Sequence, residues 1–263
     1  MNKADGLKIA NHYDIYDETT NYWTDGKKVY FKNYEIKGAD INSFVHFHGG
    51  WAVDKKNCYM VSSKLRNTDR DSFVVLNTTY AKDKHNVWTL GGKIKDVDAI
   101  SFEVCDDGKD YVQPIISIWQ GKTYIDFTPS GYGGDKNNVY HYDYSGKPNI
   151  VKGASPKTFY SLNNGHYGYD DKNVFYNIYK LNKANPKSWR ILKNGYFYSK
   201  DKYIYYFNRV IKEADVETFE VIENKHKSQY AKDKNHYYTN DWRVGKGFGK
   251  EIILLSLCSC YTE

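Results

Sequence analysis

With 263 residues, 40% of them hydrophobic, and only 5 Pro and 20 Gly, the chain can bury one large core or two smaller ones and is neither collagen-like nor low-complexity. Its 38 Lys and Arg against 32 Asp and Glu leave a formal charge of +6 with the signs mixed. This basic balance could steer towards an acidic protein, an anionic surface or nucleic acid and does not choose among them, although nucleic acid is not the partner expected. No run approaches the roughly 18 apolar residues of a membrane span, MNKADGLKIANHYD has no apolar secretory core, and 4 Cys are too few for a disulfide framework. Free thiols in the cytoplasm are expected, or the periplasm if the chain is a trimmed mature form.

From residue 24 one pattern returns along the chain. The stretches are TDGKKVYF (24–31), VDKKNCYM (53–60), KDKHNVWT (82–89), GDKNNVYH (134–141), DDKNVFYN (170–177), KDKYIYYF (200–207) and KDKNHYYT (232–239). The turn aspartates are read as Asp25, Asp54, Asp83, Asp135, Asp171, Asp201 and Asp233. Five positions later stand Tyr30, Tyr59, Trp88, Tyr140, Tyr176, Tyr206 and Tyr238. A shared offset of this kind marks a repeat architecture.

Each repeat has a physical reading. An aspartate carboxylate accepts backbone N–H groups just downstream, and Asn tolerates left-handed backbone, so DKN is a turn. The flanking segments, such as TTYA before it and NVWTL after it, are β-prone, and the 27 Tyr suit pleated, half-buried surfaces. Strand–turn–strand follows. A third short strand is expected in SFVHF, SFVVL, SFEVC and TFEVI. The linkers KGAD, KDVD, KGAS, NKAN and KEAD precede these Ser- or Thr-led pairs, and their last residue is placed to cap a single helical turn. A unit of about 30 residues cannot close a core alone, so neighbours must stack.

These motifs, DKNNVYHY, DKNVFYN and DKNHYY among them, resemble the DKNYY family of bacterial repeat proteins, and the likeness spans about residues 22–240. The resemblance implies a bacterial origin and links some relatives to toxin–immunity loci. It supplies no active site. The expected fold is all-β: tandem repeats of short antiparallel strands in a solenoid-like or propeller-like stack. A single domain over 1–263 is expected, with about seven units, an irregular insertion at 103–133 and a C-terminal cap at 241–263.

The insertion lengthens one interval, Asp83 to Asp135, to 52 residues, and contains strand-like YVQPIISIW and KTYIDF about a QG turn. Completing a sheet is the favoured role, with a binding protrusion as the alternative. EIILLSLCSC (251–260) reads as a buried final strand or cap, and RVGKGFGK (243–250) as a basic turn.

Few residues invite chemistry. His46 and His48 share a strand face, and Cys258 and Cys260 repeat that spacing, but a structural zinc needs four convergent ligands. DDGKD (106–110) lacks the full calcium-loop pattern and reads as a solvated turn. A turn requirement recurs in every unit, whereas a reaction centre does not, so neither catalytic residues nor a metal or cofactor is expected. Trp23, Trp51, Trp119 and Trp242 fall outside the regular aromatic series and are candidate interface anchors. Trp119 and Trp242, with Arg243, Lys246 and Lys250 as a basic rim, form the expected partner-binding set. The partner expected is one protein, an acidic toxin in the sharpest form. Polysaccharide or cell-envelope binding is the runner-up.

Overall fold

The computed structural model describes residues 8–9, 21–119, 122–144, 146–192, 195–222, 230–239 and 242–244. They form small antiparallel sheets, and the chain divides into two compact bodies, Met1–Gly168 and Tyr169–Glu263. Among the described residues no helix is long and apolar enough to cross a membrane.

In the first body, strands Tyr22–Thr24, Val29–Phe31 and Tyr34–Glu35 make a three-stranded sheet. The Asp54 sheet runs Val45–His46, Trp51–Val53, Cys58–Met60, Ser63–Lys64, and Lys8–Ile9 joins its edge in parallel. The Asp83 sheet runs Val74–Val75, Tyr80–Lys82, Val87–Thr89, Gly92–Lys93. The Asp135 sheet runs Glu103–Val104, Gly131–Gly134, Val139–Tyr142, Asn149–Ile150. In the second body the Asp201 sheet runs Arg190–Leu192, Gly195–Lys200, Ile204–Tyr206, Arg209–Val210. The Asp233 sheet runs Glu220–Val221, Tyr230–Lys232, Tyr237–Thr239, Trp242–Val244. The strand after each Ser–Phe or Thr–Phe pair therefore opens the sheet of the following DK turn.

The turn works as its composition requires. Asp54 Oδ1 accepts the N–H groups of Lys56 and Asn57, each at 2.7 Å. Asp83, Asp135 and Asp233 hold the N–H groups two and three residues on in the same way. In DDKN the capping residue is Asp170, not Asp171, because Lys172 and Asn173 stand two and three positions beyond Asp170. The aromatic five positions on is then Phe175, fully buried, while Tyr176 is half-buried against Phe207. The Asp201 turn is one residue shorter. Lys200 pairs with Ile204, which puts Tyr205 rather than Tyr206 at the place held elsewhere by Trp88. The expected pair is thus shifted by one residue with its offset intact at Asp170 and Phe175, and the offset of five is corrected to four at Asp201 and Tyr205.

The linker joins the same network. Asp40 caps the helical turn Ile41–Ser43, accepting the N–H and Oγ–H of Ser43 at 3.1 and 2.9 Å. Its own N–H donates to Asp54 Oδ2 at 3.0 Å, and the N–H of Lys55 donates to Ser43 Oγ. Lys55 Nζ closes the circuit on Asp40 at 2.5 Å. Asp69, Ser72, Asp83 and Lys84 repeat it, as do Asp98, Ser101, Asp135 and Lys136, and Asp215, Thr218, Asp233 and Lys234.

Stacking is aromatic. Phe44, Phe73 and Phe102 each lie between a ring of the preceding sheet (Tyr22, Trp51, Tyr80) and one of their own (Tyr59, Trp88, Tyr140) at 5.3–6.5 Å. In the second body Phe219 sits likewise between Tyr198 and Tyr238. The aromatic three positions before each turn aspartate is buried in the first body, and its polar tip donates to a backbone carbonyl of the next repeat. Tyr22 reaches Gly50 at 2.7 Å, Trp51 reaches Thr78 at 3.3 Å, Tyr80 reaches Gly131 at 3.0 Å and Tyr132 reaches His166 at 2.6 Å. Tyr and Trp suit this place because a wholly buried ring ends in a donor that finds a partner. Trp51 is accordingly core, not an anchor. Trp23 stacks on Tyr30 at 4.2 Å in the first described sheet.

Candidate functional site

The ends of the insertion, Glu103–Val104 and Gly131–Gly134, belong to the Asp135 sheet, but the two strand-like runs between them complete no repeat sheet. Lys109–Trp119 and Lys122–Pro129 pair only with each other, and the register shifts between Asp110 and Ile115, where Tyr111–Pro114 face a single residue of the other strand. Pro114 removes one backbone donor and belongs at such an irregular edge. Its base holds a polar network in which Gly108, Lys109 and Asp110 are buried, so DDGKD is not a solvated turn. Gly108 has φ +75°, and a Cβ there would meet the side chains of Thr79 and Asn77. Its carbonyl accepts the hydroxyls of Thr78 and Thr79, both at 2.7 Å, and the N–H of Ser130.

Asp106 accepts the N–H of Tyr132 at 2.9 Å, the hydroxyl of Ser161 at 2.8 Å and the N–H of Gly108 at 3.1 Å. Burial dominates those bonds and pushes its carboxyl up to about 6. Asp107 takes the N–H of Lys109 and the phenol of Tyr111. Asp110 accepts the N–H of Val112 at 2.8 Å and meets His166 Nε2 at 3.0 Å. His141 is buried with Nε2 against the Gly165 carbonyl at 2.8 Å, so that nitrogen carries the hydrogen. Burial, and secondarily the neighbouring His166, pull it down to about 4.

The arrangement fixes a hairpin to three repeats. Its hydroxyls are committed, Ser130 to the Gly165 carbonyl and Ser161 to Asp106. Cys58 and Cys105 are free, and burial pushes both thiols up to about 12, far from a reactive thiolate. Among the described residues no three His, Cys, Asp or Glu gather as a metal site. His46 packs its ring on Tyr22 at 5.7 Å. The side chain of His48, and Cys258 and Cys260, lie outside the described residues.

The expected partner-binding residues are not assembled by the described structure. Trp119 ends the first hairpin strand and Trp242 opens the strand Trp242–Val244, and the side chains of both lie outside the described residues. So do Lys246 and Lys250, and with them nearly all of the expected cap. Arg243 is exposed and holds Glu213 at 3.0 Å, with His236 at 3.4 Å. The insertion base escaped sequence reasoning. Its signal, acids and histidines on either side of the one irregular interval, is legible only once the repeats are superposed.

A model described as the DKNYY family matches residues 51–208 and again residues 197–256. No curated protein and no solved structure matches the chain.

Proposed function

The chain belongs to the DKNYY family, and from that premise we propose that it is a non-catalytic repeat protein that binds one protein partner. The observation that carries this reading is the commitment of the recurring Asp, Lys and Ser or Thr groups to bonds within and between repeats, repeated at the Asp54, Asp83, Asp135 and Asp233 turns. Groups so engaged serve as scaffold, and recognition falls to what the repeats do not need. The hairpin Lys109–Pro129 supports this, being a long apolar element fixed at its base by Asp106, Asp110 and Thr79. A preorganised element loses little freedom on binding.

In its sharpest form the proposed protein is an immunity protein that meets its toxin in the bacterial cytoplasm and covers a working surface of it. Affinity capture from the native bacterium, followed by titration of wild type and W119A/W242A, tests the reading. A captured protein that binds wild type is expected, and loss of affinity in the double variant assigns at least one of the two tryptophans to the contact. The exposed rings of Tyr34, Tyr144 and Tyr160 in the first body favour the second reading, glycan binding. Saturable binding to purified cell-wall polysaccharide with no captured protein would replace the first reading with it.

A further inference from the structure

Each sheet passes to the next through a corner of fixed form. In the first body the corners are Ile36-Lys37-Gly38-Ala39, Leu65-Arg66-Asn67-Thr68, Ile94-Lys95-Asp96-Val97 and Val151-Lys152-Gly153-Ala154. The fold dictates three of the four positions. The first is buried at 1–9% exposure. The third has φ of +54° to +81°, the left-handed region that a type II turn demands of its third residue. The fourth closes the turn, as when Ala39 N–H donates to the Ile36 carbonyl at 3.2 Å.

The second position has no such duty. Yet Lys37, Arg66, Lys95 and Lys152 occupy it in all four sheets, exposed and bonded to no carboxylate among the described residues. Lys64 and Lys93, in the edge strands that lead into two of these corners, are exposed and unpaired as well. The lysines of the DK turns behave otherwise. Lys55, Lys84 and Lys136 are held by Asp40, Asp69 and Asp98 at 2.5–2.7 Å. One cation series is neutralised by the fold, and a second at the same pitch keeps its charge. Asp96 is the one acid in the four corners.

We propose that Lys37, Arg66, Lys95 and Lys152, with Lys64 and Lys93 beside them, form a docking row for an acidic protein segment. The proposal rests on the protein-binding reading and names the chemistry of the partner. Sheets packed face to face lie about 10 Å apart, and a strand covers that distance in about three residues. A helix covers it in about seven. Either can present one carboxylate per repeat. A spacing of about 10 Å is close to the screening length of about 8 Å at physiological salt, so cations so spaced attract as a line of charge that added salt weakens.

The test titrates fluorescein-labelled poly-L-glutamate into the full chain at low and at raised salt. Two variants with equal change in net charge are compared, K37E/R66E/K95E/K152E and the control K27E/K56E/K147E/K157E, all at exposed positions. Thermal melts check that both remain folded. Binding by wild type that weakens with salt, falls at least about tenfold in the row variant and changes less than about threefold in the control supports the row. No binding by wild type, or equal loss in both variants, overturns it. Tighter binding of inorganic polyphosphate than of poly-L-glutamate, through the same residues, overturns the acidic protein as the partner. A protein captured from the native bacterium that binds the row variant as tightly as wild type overturns the row and leaves the protein-binding reading standing. Row-dependent binding of poly-L-glutamate with no captured protein supports the row and counts against that reading.

Discussion

Tyr59 donates its phenol to Asp54 Oδ2 at 2.6 Å, while Asp54 Oδ1 holds the N–H groups of Lys56 and Asn57. The same phenol–carboxylate bond links Tyr140 to Asp135 at 3.0 Å and Tyr238 to Asp233 at 2.6 Å. Burial opposes ionisation of Asp54, but the bonds from Tyr59 and from the N–H groups of Asp40, Lys56 and Asn57 outweigh it and hold the carboxyl below its ordinary value. The DK turn and its tyrosine are therefore one unit. Tyr59→Phe removes a hydrogen bond to a charged group and is expected to cost about 1.5–3 kcal/mol in urea unfolding. A loss below roughly 0.5 kcal/mol would show that the ring, not the hydroxyl, is what the position requires.

The register at Asp170 is tested by adjacent residues. Phe175 is fully buried, so Phe175→Ala is expected to cost about 3–5 kcal/mol. Tyr176→Ala, at a half-buried ring, is expected to cost less than about half of that. Chemical unfolding of the two variants decides, and the reverse order would restore Asp171 as the turn residue.

Acid should unfold the protein in a defined window. The ion pair with Lys136 and the bonds from Ser101 hold the Asp98 carboxyl at about 2, and Lys234 and Thr218 do the same for Asp215. A carboxyl depressed in the folded state contributes stability above its ordinary value near 4, lost as pH falls through the folded value. The urea midpoint is expected to hold above pH 4 and fall towards pH 2, with a shallower fall in D98N/D215N.

At the hairpin base two groups act in opposite senses. His141, pulled down to about 4, favours the fold at neutral pH and loses that contribution as pH falls from about 6.5. Asp106, pushed up to about 6, favours the fold at low pH and loses its contribution as pH rises from about 4 to 6. Their slopes offset each other between about pH 4 and 6. Asp106→Asn removes one of them, so its stability is expected to drop on acidification from pH 6 to 4 more steeply than that of wild type. Parallel profiles from urea titrations would refute the assignment.

Glycine is required two positions before Asp135, where a Cβ would stand 2.5 Å from the Phe102 ring. Gly133→Ala is expected to cost about 1–3 kcal/mol through forced displacement of that ring. Gly146→Ala, with nothing within 4 Å of the added carbon, is the control and should stay within about 0.5 kcal/mol. Equal melting temperatures for the two would refute the close packing.

The sequence by itself determined what depends on neighbours along the chain. The turn at Asp54 joins residues two and three apart, and the cap at Asp40 joins residues three apart, so composition and spacing announce both. The repeat and its all-β character follow from that local chemistry written again and again. Stacking decided the rest. DDKN offers two aspartates of equal promise, and only the pairing of Val174–Tyr176 with Tyr179–Lys180 buries Phe175 and leaves Tyr176 half out. Asp40 N–H finds Asp54 across 14 residues, Tyr80 finds the Gly131 carbonyl across 51, and Ser161 finds Asp106 across 55. No local pattern encodes such partners, because each exists only where one sheet lies against another. The unpaired row from Lys37 to Lys152 is of the same kind. Its lysines read like those of the DK turns in the sequence, and only the packed structure separates the cations that have a carboxylate from those that have none.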